Sequence, residues 1–190
     1  MKRFAVLVLS LILVKASFAQ PTANVQRQFE DAARKIVRLQ PTAFRELPPN
    51  VIGELQRRGC TIPQEAYTKR PHNVVKGEFA RPGQTDWAVL CSIKGVSTIL
   101  VFWNGSEKAP AQVASREDRI FLQTFDSTAS SFCRGISPVG KDFIVRHHDA
   151  YGGQELPPLD HQGIDDAFIE KASVTWYFHQ GKWLKLPGAD

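Results

Sequence analysis

The sequence predicts an α+β protein, with two N-terminal helices packed on a mainly antiparallel β-sheet in one small domain. Three observations predict it. Helical spacing of apolar residues is confined to the first third of the chain. From Asn73 onward the apolar residues fall in short β-branched and aromatic runs separated by turn signals. Helices followed by strands, rather than alternating with them, favour an antiparallel sheet. Composition is that of a globular protein: of 190 residues 43% are apolar, 23% charged and 10% aromatic. This excludes a coiled coil, a collagen-like chain and a multi-span membrane protein.

The chain opens on Lys2 and Arg3, followed by a mostly apolar run from Phe4 to Val14 and the small-x-small triplet Ser17-Phe18-Ala19. This is the three-part pattern of a secretory signal peptide, and the run is shorter than the roughly 20 residues of a membrane span. Residues 1–19 are therefore expected to be removed. The domain then covers 20–190, with a helical part over 20–60 and a β-rich part over 73–190, and the protein is exported, periplasmic or secreted. Losing Lys2, Arg3 and Lys15 takes the 24 basic residues to 21 against 19 acids, and the formal charge from +5 to +2. Apart from Arg57-Arg58 and Lys69-Arg70 the remaining cations are scattered in sequence, without the stripe that nucleic acid requires. The partner expected is an extracytoplasmic protein or a glycan.

Asn24–Leu39 carries Val25, Phe29, Ala32, Ala33, Ile36 and Leu39 at helical spacing, and Pro41 stops it. A second helix runs from Pro48 to Arg58, with Gly59 just beyond its end. If Gly59 is left-handed, Cys60 packs back on Leu55. Strands are expected at 74–79, 87–93, 97–103, 120–125, 132–136, 143–147, 174–178 and 182–186. Lys94-Gly95, Asn104-Gly105, Val139-Gly140 and Gln180-Gly181 mark turns. Gly152 to Asp166 reads as a long loop.

Outside the cytoplasm three cysteines imply one disulfide and one free thiol. The pairings 60–91, 60–133 and 91–133 are all open. Alternation in Trp87–Cys91 places Trp87, Val89 and Cys91 on one face, which favours Cys60–Cys91.

The stretch Lys76-Gly77-Glu78-Phe79-Ala80-Arg81-Pro82-Gly83-Gln84-Thr85-Asp86-Trp87-Ala88-Val89 resembles the FG-GAP or VCBS repeat of integrin-type propellers. The resemblance aligns Glu78 and Asp86 with the first and last carboxylate positions, Gly83 with the turn glycine and Phe79 with the aromatic anchor. Ala80 and Pro82 stand where two further oxygen ligands belong, so the corner keeps the loop shape without a full calcium set. A second stretch, Asp160 to Phe168, is similar to the tail of such a loop. There the resemblance implies a weak calcium site made by Asp160, Gln162, the carbonyl of Ile164 and Asp166, with affinity on the order of 10⁻⁴–10⁻³ M. Pro158 occupies the first position, where Asp165 or Glu155 could substitute. Two windows of this size do not make a propeller. In the family such segments serve adhesion, binding or display.

Catalytic candidates are few. His147-His148-Asp149 offers an oriented base, His147 with Asp149 and with Tyr151 close by, which frames a rival reading as an extracytoplasmic hydrolase. On a strand His147 and His148 would point to opposite faces. The Ser127, Thr128, Ser130 and Ser131 run reads as a polar turn. Cys133 is a small buried hydrophobe or, with a base brought from elsewhere, a nucleophile. Trp87, Trp103, Trp176, Trp183, Tyr177 and Phe178 raise a sugar-stacking surface, and Asn104-Gly105-Ser106 is a glycosylation sequon. The role expected is a non-catalytic binding or structural module.

Overall fold

The computed structural model describes residues 23–126 and 129–189; the expected signal peptide and the Ser127-Thr128 pair lie outside them. Chain order begins α1 (Ala23–Lys35), β1 (Arg38–Leu39), α2 (Pro49–Arg58), β2 (Ile62–Pro63), β3 (Val74–Gly77) and β4 (Asp86–Ile93). It continues with β5 (Val96–Phe102), β6 (Ala111–Glu117), β7 (Leu122–Asp126), β8 (Ala129–Phe132) and β9 (Arg134–Val139). The last elements are α3 (Lys141–Tyr151), β10 (Gly163–Phe168), β11 (Ala172–His179) and β12 (Lys182–Pro187).

The prediction of one sheet carrying two helices needs correction. The described residues are mostly β, in four antiparallel sheets with three helices: β3-β4-β5-β6, β12-β11-β10-β9, and the two-stranded pairs β7-β8 and β1-β2. The two large sheets face one another. Ala88, Leu90, Ile99, Val101 and Val113 of the first form one core with Ile136 and Ile164 of the second, and Trp176 and Trp183 pack at its margin. The outer face of the first sheet carries Trp87, Val89, Cys91, Leu100 and Phe102 against Val51 and Leu55 of α2. The outer face of the second carries Val139, Tyr177 and Leu186 against Ile144 of α3. The central strand β4 is buried on both faces, with seven of its eight residues buried. Only α2 and α3 cover the large sheets, one on each outer face; α1 lies on the β7-β8 hairpin, inserting Ala32 and Ile36 beside Leu122 and Phe132.

The helical span starting at 24 ends at Lys35, not Leu39, because Arg38 and Leu39 pair with Ile62 and Pro63. The second helix is as read. Gly59 takes φ +73°, a conformation glycine adopts without Cβ strain, and the Cys60 N–H reaches back to the Leu55 carbonyl at 2.9 Å. Cys60 then bridges Cys91 across a Cα–Cα distance of 5.1 Å, within the usual range. With a sequence separation of 31, chain entropy attributes about 3.7 kcal/mol to this cross-link.

The segment expected as a strand at 143–147 is helical. Phe143-Ile144-Val145 is apolar enough for either period, but rings recur every fourth residue. Phe143 meets His147 at 4.1 Å and His147 stacks on Tyr151 at 6.3 Å, while Ile144 turns into the core. The long loop is shorter than expected because β10 already starts at Gly163, and β6 is a further strand.

Arg134 ties the two large sheets together. It is fully buried on β9 and donates to both Asp166 carboxylate oxygens at 2.8 and 2.9 Å, to Ser97 O and Oγ, and to Ala114 O at 2.7 Å. The β5-β6 register shifts between Ser97 and Ile99, and Ala114 takes φ +52°, so the carbonyls Arg134 uses sit at a bulge. Asn73, also buried and at φ +69°, spans β2 and β9 through Pro63 O, Arg134 O and the Ile136 N–H.

Candidate functional site

The residues singled out in sequence are placed apart from one another. His147 and Asp149 stand two positions apart on α3, so they diverge around the helix. The His147 Nδ1 lies 2.8 Å from the Phe143 carbonyl, and Asp149 is exposed, nearest to His148 Nδ1 at 3.9 Å. No His147–Asp149 dyad is assembled. Asp160 is exposed and takes the Tyr177 hydroxyl at 3.3 Å. The Gln162 Oε1 accepts the Glu78 N–H at 3.0 Å, Ile164 is paired inside β10, and Asp166 is held by Arg134. These four do not converge, and among the described residues no group of three or more His, Cys, Asp or Glu gathers as a metal cluster.

The segment 78–85 connects β3 to β4. Asp86, fully buried at its end, accepts the N–H groups of Phe79 and Ala80 at 2.9 Å, the Gln84 amide at 2.7 Å and the Asn104 N–H at 2.8 Å. Its oxygens are thereby occupied by four protein donors. Trp87 and Tyr177 are core residues, whereas Trp103, Phe178 and Trp183 cluster half-buried at the sheet margin with ring centres 4.8 to 5.8 Å apart. Cys133 is buried and its thiol donates to Ser131 O; burial, then the nearby Glu65 carboxylate, pushes it up to about 11. It stays a protonated, unreactive thiol at neutral pH.

A concavity of about 630 Å³ is a groove that sequence reading did not anticipate. The C-terminal half of α1, β1, segment 64–71 and β8 enclose it. Ala32, Ile36 and Phe132 form apolar lining; Lys35, Lys69, Arg70, Thr68, Ser130 and Ser131 supply charge and hydroxyls. Lys35, Lys69 and Arg70 are exposed and take part in none of the ion pairs among the described residues. The one carboxylate in the lining is Glu65, 5% exposed, whose Oε2 accepts the Tyr67 N–H at 2.6 Å.

The loop that carries Lys69 and Arg70 is braced from within. His72 Nε2 accepts the Glu65 N–H at 2.7 Å, which leaves its hydrogen on Nδ1 to donate to Arg70 O at 2.9 Å. Gln64 closes the base of the loop through the His72 N–H and carbonyl, and the Ala66 N–H bonds Phe132 O on the far wall. The cations are thus presented by a held loop, at little ordering cost to a ligand. Three cations that enter no ion pair among the described residues, around one buried carboxylate and several hydroxyls, can bind acid groups while accepting a ligand hydroxyl. Among the described residues no nucleophile paired with a base lines the groove. No helix among the described residues is long and apolar enough to cross a membrane. Compared with protein-family models, curated proteins and solved structures, the chain gives no match.

Proposed function

We propose that this chain is an exported, non-catalytic binding module whose groove beside α1 takes the acid groups of an anionic glycan. The observation that carries the reading is the set of Lys35 at the end of α1 and Lys69 and Arg70 on a loop held by His72 and Gln64, around the buried Glu65 carboxylate. Cations outside the ion pairs of the described residues attract carboxylates or sulfates, although the expected processed chain is only slightly basic. Glu65 favours a glycan over a polyphosphate. A sugar hydroxyl donates to a carboxylate, while a phosphate chain brings only acceptors and like charge. The secretory pattern read at the N-terminus supports a module that works where acidic polysaccharides occur.

Calorimetric titration of the purified protein with digalacturonate tests this, run in EDTA and again in millimolar calcium because a weak cation turn was expected near Asp160. Binding that weakens with added salt is the expected result, with calcium making no difference at the groove. The triple variant Lys35→Gln, Lys69→Gln, Arg70→Gln is expected to lose at least tenfold in affinity. Neutral cellobiose serves as control. Absence of binding to the acidic sugar, or equal binding by the triple variant, overturns the proposal.

A further inference from the structure

We infer that a second groove, on the other flank of α1, is a further subsite for the same acidic sugar chain, with Asp118 accepting a sugar hydroxyl and Lys94 meeting its acid group. The inference rests on the anionic-glycan reading and extends it. The groove encloses about 380 Å³ and is lined by Arg34, Arg38, Lys94, Glu117, Asp118 and Arg119. On α1 it uses positions 33 and 34, whereas the first groove uses 32 and 35; adjacent positions on a helix differ by about 100°. One ligand crossing the helix can therefore enter both.

Asp118 supplies the decisive observation. It is 1% exposed, and its Oδ2 is held by Arg38 Nη2 at 2.8 Å and by the Ser92 hydroxyl at 2.6 Å. Its Oδ1 is equally buried and accepts no hydrogen bond from any described residue. A buried carboxylate oxygen without a donor is costly, and a donor arriving on a ligand removes that cost. The cation of this groove that stands outside its ion pairs among the described residues is Lys94, at the tip of the β4-β5 hairpin. Lys94 at φ +51° and Gly95 at φ +80° form a two-residue turn, and the Asp118 N–H bonds Gly95 O at 2.8 Å, which fixes the tip against the carboxylate. Arg34 pairs with Asp31, Arg38 with Asp118 and Arg119 with Glu117, while Lys94 enters none of the ion pairs among the described residues.

This arrangement selects its ligand by elimination. A bare anion cannot donate to Oδ1 and meets repulsion from Asp118 and Glu117. An amine can donate but enters a wall carrying four cations against two carboxylates. A hydroxylated carboxylate satisfies both demands. A sugar acid and a free hydroxy acid share that chemistry; the flanking position of the first groove favours a polymer that reaches both, across a helix about 10–12 Å in diameter.

The test is a ¹⁵N-HSQC and calorimetric titration of the whole protein with digalacturonate, with a galacturonate dodecamer, with the dodecamer O-methylated at its free hydroxyls, and with gluconate. The expected result is at least tenfold tighter binding of the dodecamer than of the dimer, with shifts at Gly95 and Arg119 produced by the dodecamer. Lys94→Asn, which removes the cation and suits a left-handed turn position, is expected to abolish that gain and leave dimer binding intact. The methylated dodecamer is expected to leave Gly95 unshifted. No length dependence, an unaffected Lys94→Asn variant, or equal Gly95 shifts with the methylated chain overturns the second subsite while the first groove stands. Gluconate shifting Gly95 as strongly as the dodecamer overturns the polymer in favour of a free hydroxy acid. Failure of every uronate to bind overturns the underlying glycan reading instead.

Discussion

Replacing Arg134 by Met leaves the side-chain volume roughly filled and removes every hydrogen bond the guanidinium makes. The residue has no exposure, and its N–H groups serve Asp166 twice, Ser97 twice and Ala114 once, while Phe121 lies under the guanidinium carbon at 4.6 Å. Arg134→Met strands the Asp166 carboxylate, only 9% exposed, between the two large sheets. Breaking a buried pair from one side costs about 3–5 kcal/mol. For a domain of this size each kcal/mol moves the midpoint by about 2–4 °C, so Tm is expected to fall by roughly 6–20 °C. Differential scanning calorimetry at pH 7 measures it, with urea titration followed by circular dichroism as an independent reading. The double variant Arg134→Met, Asp166→Leu removes both charges and is expected to recover more than half of the loss, since the stranded charge rather than the missing bridge dominates the cost. A single variant within about 3 °C of the parent, or a double variant no better than the single, refutes the assignment of Arg134 as the tie between sheets.

Two further outcomes follow from titrating groups. On α2, hydrogen bonds from Arg57, then Arg58, hold the Glu54 carboxyl at about 2 against its ordinary 4.5. A folded value below the unfolded one stabilises above pH 4.5 and is lost as pH falls toward 2, so the Tm gap between the parent and Glu54→Gln is expected to be open at pH 7 and to close over that interval; a gap that is constant with pH contradicts it. The buried Cys133 thiol, pushed up to about 11, is expected to resist iodoacetamide at pH 8 in the native protein and to react fully in guanidinium. Modification of native protein at the rate of a free cysteine contradicts the burial.

The grooves show where reading the chain residue by residue stops. Lys35, Lys69 and Arg70 are brought together by α1 and the loop before β3, and Arg34, Arg38, Lys94 and Arg119 by α1, β1, a hairpin tip and the turn after β6. Along the chain they are single cations and short pairs, Arg34-Lys35 and Lys69-Arg70, of the kind that cover any solvated surface. Charge becomes a site only when tertiary packing decides which neighbours leave it unpaired. Asp118 is the sharper case, because a carboxylate oxygen without a donor is a property of enclosure and has no sequence signature.

Local chemistry was determined by the sequence itself. Pro48 and Gly59 bound α2 because one suits a helix entry and the other a left-handed exit, and that geometry sets Cys60 facing inward. Strand alternation sets Cys91 facing outward from the sheet toward the same helix, so the disulfide was legible from two short-range rules. The Gln180-Gly181 turn between β11 and β12 is of the same kind. What only the tertiary structure decided is which apolar faces meet. A run such as Trp87–Cys91 is apolar on both sides whether one sheet or two bury it, and Phe143–Val145 satisfies helical and extended periods alike. Contact with α3's neighbours, with the opposing sheet and with the Arg134–Asp166 pair selects among those states, because burial free energy depends on the partner surface and not on the strand that offers it.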